Sequence, residues 1–147
     1  GDPCPGLDGL RRTRDHAFEA ARVQRALGPA HGRCTWLRDV RLEALLLTDE
    51  ARARSFVDAE LGRLADDGDG SARLRETLLT WLDVGSHVSA AAILGVHENT
   101  VRNRIRAAEE LLGAPLPGRR TELQVALRLQ RMLNPSPAAP APLAAVA

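Results

Sequence analysis

Apolar positions along the chain recur at intervals of three and four residues in several separate blocks, the spacing that sets one side of an α-helix against a core. The first block runs from Arg14, with Ala17, Phe18, Ala21 and Val23 to Leu27 in helical register, and Gly28 with Pro29 stops it. Cys34-Thr35-Trp36-Leu37 reads as one short strand, and Asp39 then caps a helix through Leu42, Leu45 and Leu46. Thr48 caps a third helix whose apolar side carries Ala51, Ala53, Phe56, Val57, Leu61 and Leu64. Leu74, Leu78, Leu79, Trp81 and Leu82 predict a fourth, with Ser71 as its N-cap and Gly85 closing it. Phe18, Trp36, Phe56 and Trp81 are expected in the core.

The tightest pattern lies between Ser89 and Gly113. Ser89 is placed to cap a short helix through Ala90, Ala91, Ala92, Ile93 and Leu94, whose small residues let another helix approach closely. Gly95 breaks it in the manner of a left-handed turn, and Val96 packs back as the chain reverses. His97 is the expected cap of the next helix, about residues 98–112. Val101, Ile105, Ala108 and Leu112, at offsets of four, three and four, form a single stripe for burial. The outer face over the first two turns then carries Glu98, Asn99, Arg102, Asn103 and Arg106, with Thr100 at the start. This is the residue set that base reading needs: arginine pairs two donors with guanine, asparagine pairs bidentately with adenine, and threonine meets a thymine methyl or a phosphate. Glu109 and Glu110 would repel DNA further along, so contact is confined to those two turns.

Beyond Gly113, Pro115 and Pro117 mark a loop, and a last helix from Thr121 or slightly earlier carries Leu123, Val125, Ala126, Leu127, Leu129 and Leu133. Arg119, Arg120, Arg128 and Arg131 lie on or beside it, where they can hold phosphates without reading sequence. Glycine, proline and acidic runs divide the chain into a flexible lead-in over 1–13, a helical segment over 14–66 and a linker from Asp66 to Ser71. A helix-turn-helix domain over 71–133 and a Pro/Ala-rich disordered tail over 134–147 complete it.

Composition adds three points. The apolar fraction of 44% suffices for a core without crosslinks, and Cys4 and Cys34 stand apart from any metal-ligand pairing. His31 and Cys34 have no further ligands converging on them, so no metal site is expected. Every basic residue besides histidine is arginine, with 11 against 13 Asp plus Glu in residues 1–70 and 9 against 6 in residues 71–147. The second half is therefore the basic one, as a phosphate-binding partner requires. No apolar run is long enough for a membrane span, no signal peptide opens the chain, and a start at Gly1 suggests a fragment of a longer protein.

The stretch from Leu74 to Leu133 resembles the C-terminal helix-turn-helix domain of the PucR family of transcriptional regulators, related to the sugar-diacid regulator CdaR. LRETLLTWLD resembles the family's opening helix, SAAAILGVHENTVRNRI its Ala-rich helix with Val-His, Asn-Thr-Val and Arg-hydrophobic signature, and AAEELLGAPL its exit. The Ala-Ala-x-x-Gly turn also resembles the nucleoid protein Fis. The resemblance implies that His97, Asn99, Thr100, Val101 and Arg104 are signature residues and that the helix from Glu98 enters the major groove. By spacing, Arg104 lies at the edge of the buried stripe, where it can touch phosphate or pair with an acid such as Asp83. Asn103 stands where family members often carry an aromatic residue. Upstream, about His16 to Leu64 resembles the end of the CdaR-type or degenerate GGDEF-like domain that precedes this module.

The expectation is a mainly α protein: a Fis-like four-helix helix-turn-helix domain behind a helical segment with one short strand. Its expected role is sequence-specific regulation of bacterial transcription, as a cytoplasmic, nucleoid-associated homodimer on double-stranded DNA. A small-molecule effector would act through a domain upstream. No Ser-His-Asp, metal-binding or Gly-rich phosphate pattern points to catalysis or to a cofactor. The rival reading is a helical interaction or dimerisation module that keeps the fold without DNA.

Overall fold

In a computed structural model that describes residues 6–27 and 36–134, the chain is helical, and no strand occurs among the described residues. The helices are α1 (Gly6–Leu27), α2 (Arg41–Leu46), α3 (Glu50–Leu61), α4 (Asp69–Val84), α5 (His87–Leu94), α6 (Glu98–Leu112) and α7 (Arg120–Leu133). Two 3-10 turns, Leu37–Asp39 and Gly62–Ala65, lie between them. Cys34 and Thr35 of the expected strand fall outside the described residues; Trp36 is extended and Leu37 opens the first 3-10 turn. The tail from residue 135, together with Cys4 and His31, also falls outside them. No described helix is long and apolar enough to cross a membrane.

The chain divides into two compact units, one comprising Gly1–Ala53 with Arg131–Ala147 and the other Arg54–Gln130. The stretch expected as a linker, Asp66 to Ser71, lies inside the second unit, where α4 starts at Asp69 after an uncapped Gly68. Ser71 is therefore in the first turn of α4 rather than at its cap.

In the first unit, α1 begins at Gly6, eight residues before the expected Arg14, so part of the expected lead-in is helical. Its buried face presents Ala20 and Val23 to Leu37, Val40, Ala44 and Met132. Arg22 Nη2 donates to the Ala44 carbonyl at 2.7 Å, which ties α1 to α2. The N-cap position of α2 is Val40, without a side-chain bond, and not Asp39. Phe18 and Trp36, expected in the core, are exposed, as are Leu42 and Leu45 of α2, where Glu43 and Ala44 are buried instead.

In the second unit the stripes are covered. Leu61 and Leu64, Leu78 and Leu82 of α4, Val101 of α6, and Leu123 and Leu129 of α7 are almost wholly buried. Phe56, Trp81 and Val125 are only partly buried. Helices α4, α5 and α6 pack on one another, and α6 also meets the 3-10 turn Gly62–Ala65. Arg75 of α4 donates to the carbonyls of Leu64 and Asp66, both at 2.8 Å, and so closes that turn. Burial holds this guanidinium below the ordinary arginine range, against the opposing pull of Asp67 and Asp66. Buried Gln130 closes the other side by donating to the Ala65 carbonyl at 2.8 Å.

Candidate nucleic-acid interface

Helix α4 ends on Gly85, whose φ of 72° is left-handed and whose amide donates to the Trp81 carbonyl at 2.8 Å. The chain is then extended at Ser86, which is the true N-cap of α5: the Ser89 amide donates to Ser86 Oγ at 3.4 Å. Ser89 was the expected cap, yet it sits in the first helical turn. The Trp81 ring lies 5.6 Å from that of His87, across the same corner. Ala90 and Ala91 are buried, and their small side chains let α5 lie close to its neighbours. Val88 and Ile93 point the other way and remain 63% and 60% exposed.

The turn between α5 and α6 needs a left-handed residue, and Gly95 supplies it at φ 65°, ψ 32°. Val96 then returns an amide to the Ala91 carbonyl at 3.1 Å. His97 caps α6 through its ring, with Nδ1 accepting the Asn99 amide at 3.1 Å, while its carbonyl accepts from Thr100 at 2.9 Å. Val101, Ile105 and Ala108 are buried as the 4-3-4 spacing requires, and Leu112 is partly so. That burial fixes the rotation of α6 and leaves Asn99, Arg102, Asn103 and Arg106 exposed on one face, with Glu98 and Thr100 half-buried at its start.

The five arginines expected at DNA, three on α6 and two on or beside α7, are placed differently. Arg102 Nη2 donates to Glu98 Oε1 at 2.5 Å and its Nη1 to Asn99 Oδ1 at 3.0 Å. Arg104 is half-buried and donates to Thr77 Oγ1 at 3.2 Å, so it braces α6 on α4. Thr77 is itself fully buried and donates to the Arg73 carbonyl at 2.8 Å. Asp83, the acid considered for Arg104, instead accepts from Gln124 at 2.8 Å and Arg128 at 3.2 Å. Arg119 pairs with Glu60 Oε2 at 2.6 Å and reaches that residue's backbone carbonyl at 3.3 Å. Arg120 donates to the Leu82 carbonyl, a cation on the last turn of α4, where the helix dipole favours it. Arg106 borders a shallow depression with Glu109, Glu110, Gly113, Ala114 and Pro115.

Glu60 and Thr77 are the structural residues that sequence reading missed. Neither carries a local signal, because the partners lie 59 and 27 positions away. Ser86 was legible in principle, since it follows a helix-ending glycine and precedes Ser89 by three residues.

Residues 74–129 match the family model of the PucR C-terminal helix-turn-helix domain. The chain is 41% identical over 100 residues to an uncharacterized protein in the pkwA 5′ region of Thermomonospora curvata, covering 67% of this chain and 54% of that protein. It is 35% identical over 95 residues to the purine catabolism regulatory protein of Bacillus subtilis strain 168, covering 63% of this chain and 18% of that protein. No solved structure matches the chain significantly. The glycine turn, the caps of α5 and α6 and the 4-3-4 stripe all fall within the matched span. Residues 74–129 thus form a helix-turn-helix unit that is similar to the PucR C-terminal domain.

Proposed function

We propose that this chain carries the DNA-reading part of a bacterial transcriptional regulator, with α6 entering the major groove of double-stranded DNA. The observation that carries this reading is the single exposed face holding Asn99, Arg102, Asn103 and Arg106 on a helix whose rotation is fixed by Val101, Ile105 and Ala108. Arginine and asparagine are the side chains that pair bidentately with guanine and adenine edges. Thr100 and the amides at the head of α6 lie where a helix dipole favours phosphate. Glu109 and Glu110 limit base contact to the first two turns.

Arg104, Arg119 and Arg120 act in this reading as braces that hold the reading helix and its neighbours, rather than as free phosphate contacts. One recognition helix covers only a few base pairs, so the regulator works as a homodimer on two half-sites about 34 Å apart, one turn of DNA. Its effector is a small molecule sensed by a domain upstream, and it operates in the cytoplasm on the nucleoid, without catalysis of its own.

Selection of bound sequences from random duplex DNA, followed by titration of the selected site against salt, tests this directly. The expected result is a twofold-related pair of half-sites and an affinity that falls steeply with salt, because each neutralised phosphate releases counterion. Affinity flat in salt would overturn it in favour of a helical interaction module, for which exposed Val88 and Ile93 would be the contact residues.

A further inference from the structure

The exposed face of α6 opens with a compensated charge. Glu98 and Arg102 stand one turn apart with their side chains 38% and 50% exposed, joined at 2.5 Å. Asn99 holds the second arm of the same guanidinium at 3.0 Å. Arg106, one turn further along, is exposed and has no ion pair among the described residues. Two arginines on one reading face are thus electrostatically unlike.

We infer that Glu98 sets specificity: it cancels the charge of Arg102 and holds its guanidinium, so that Arg102 discriminates among bases while adding little to sequence-independent attraction. The inference rests on the DNA-binding reading above. A bare arginine beside a duplex neutralises phosphate on any sequence and releases counterion each time. A Glu–Arg pair has no net charge to offer, and its carboxylate is repelled by the phosphates that flank the groove. That repulsion is offset only where Arg102 meets paired acceptors such as guanine O6 and N7. The second partner adds order. The Asn99 carbonyl oxygen has two lone pairs and its amide nitrogen two hydrogens, so it can accept from Arg102 and still meet an adenine edge. Asn99 and Arg102 therefore read neighbouring base positions as one pre-positioned unit, with less side-chain freedom left to lose on binding.

The test compares the chain with its Glu98→Gln variant on the selected site and on mixed-sequence duplex, across a fourfold range of salt. Glu98→Gln is expected to bind mixed-sequence DNA more tightly and to steepen its salt slope by about one, so that the gain is about three- to fourfold larger at the low-salt end. The ratio of selected to mixed affinity is expected to fall. In an Arg102→Ala background the same Glu98→Gln change is expected to leave that ratio unaltered, because the group it positions is gone. Unchanged slope and ratio in Glu98→Gln, or weaker binding to both DNAs, overturns the inference while steep salt dependence of the parent chain leaves the DNA-binding reading standing. A parent chain whose binding is flat in salt overturns both.

Discussion

Helix α6 buries Val101, Ile105 and Ala108 to 6% exposure or less, whereas α1 leaves Leu7, Leu10 and Phe18 between 66% and 82% exposed and buries Ala20 and Val23 instead. Helical periodicity predicted α6 together with the side that is covered, whereas in α1 it predicted a helix only from Arg14 and not which side would be covered. In α6 the apolar residues form one narrow stripe, and α4 and α5 cover it. In α1 they are spread around the helix, and among the described residues only the Ala20 and Val23 side is covered. The arginines differ in the same way. On α1, Arg11 and Arg14 make short local pairs at the surface, with Asp8 at 3.7 Å and Asp15 at 3.0 Å, while Arg22 reaches the Ala44 carbonyl of α2. On α6, three arginines within five residues have three different surroundings, because α4 gives Arg104 a partner that Arg106 lacks among the described residues.

The largest expected effect separates the two helices by stability. Ile105→Ala should cost about 2–5 kcal/mol through lost methyl groups and the cavity left behind, while Phe18→Ala should stay within about 0.5 kcal/mol. Urea denaturation of both variants checks this, and equal costs would break the comparison. Next, Arg106→Ala should lose about 1–3 kcal/mol of binding to the selected site and relax one base preference with little change in melting. Arg104→Ala should do the reverse, lowering stability by about 1 kcal/mol as Thr77 loses a donor, with an unaltered salt slope. A shallower slope in Arg104→Ala at full stability would return that residue to the DNA. The smallest effect concerns the cap of α5: Ser86→Ala should cost about 0.5 kcal/mol in thermal unfolding, since the cap bond is long and exposed, and Ser89→Ala almost nothing.

What sequence revealed about α6 came from short-range order. The 4-3-4 stripe, the left-handed glycines at 85, 95 and 113, and His97 as a cap all follow from residues within one or two turns of each other. The caps at Ser71 and Ser89 were misplaced because serine suits both a cap and the first turn behind it; what decides is backbone angle, and the extended conformation falls at Gly68 and Ser86. The partners of Arg104, Arg119 and Arg120 were not legible, since each acceptor is brought near only by the packed fold. Burial in α1 was illegible for a related reason: it depends on Leu37, Val40, Ala44 and Met132, which only the fold brings to it.

The cap on α6 has a further consequence. Because His97 accepts the Asn99 amide through Nδ1, that nitrogen carries no hydrogen, and the ring's single hydrogen sits on Nε2. One tautomer is thereby chosen by the backbone of the helix it starts. The same ring that completes the helix with an acceptor keeps a donor on its far side, immediately ahead of the face that Asn99 and Arg102 begin.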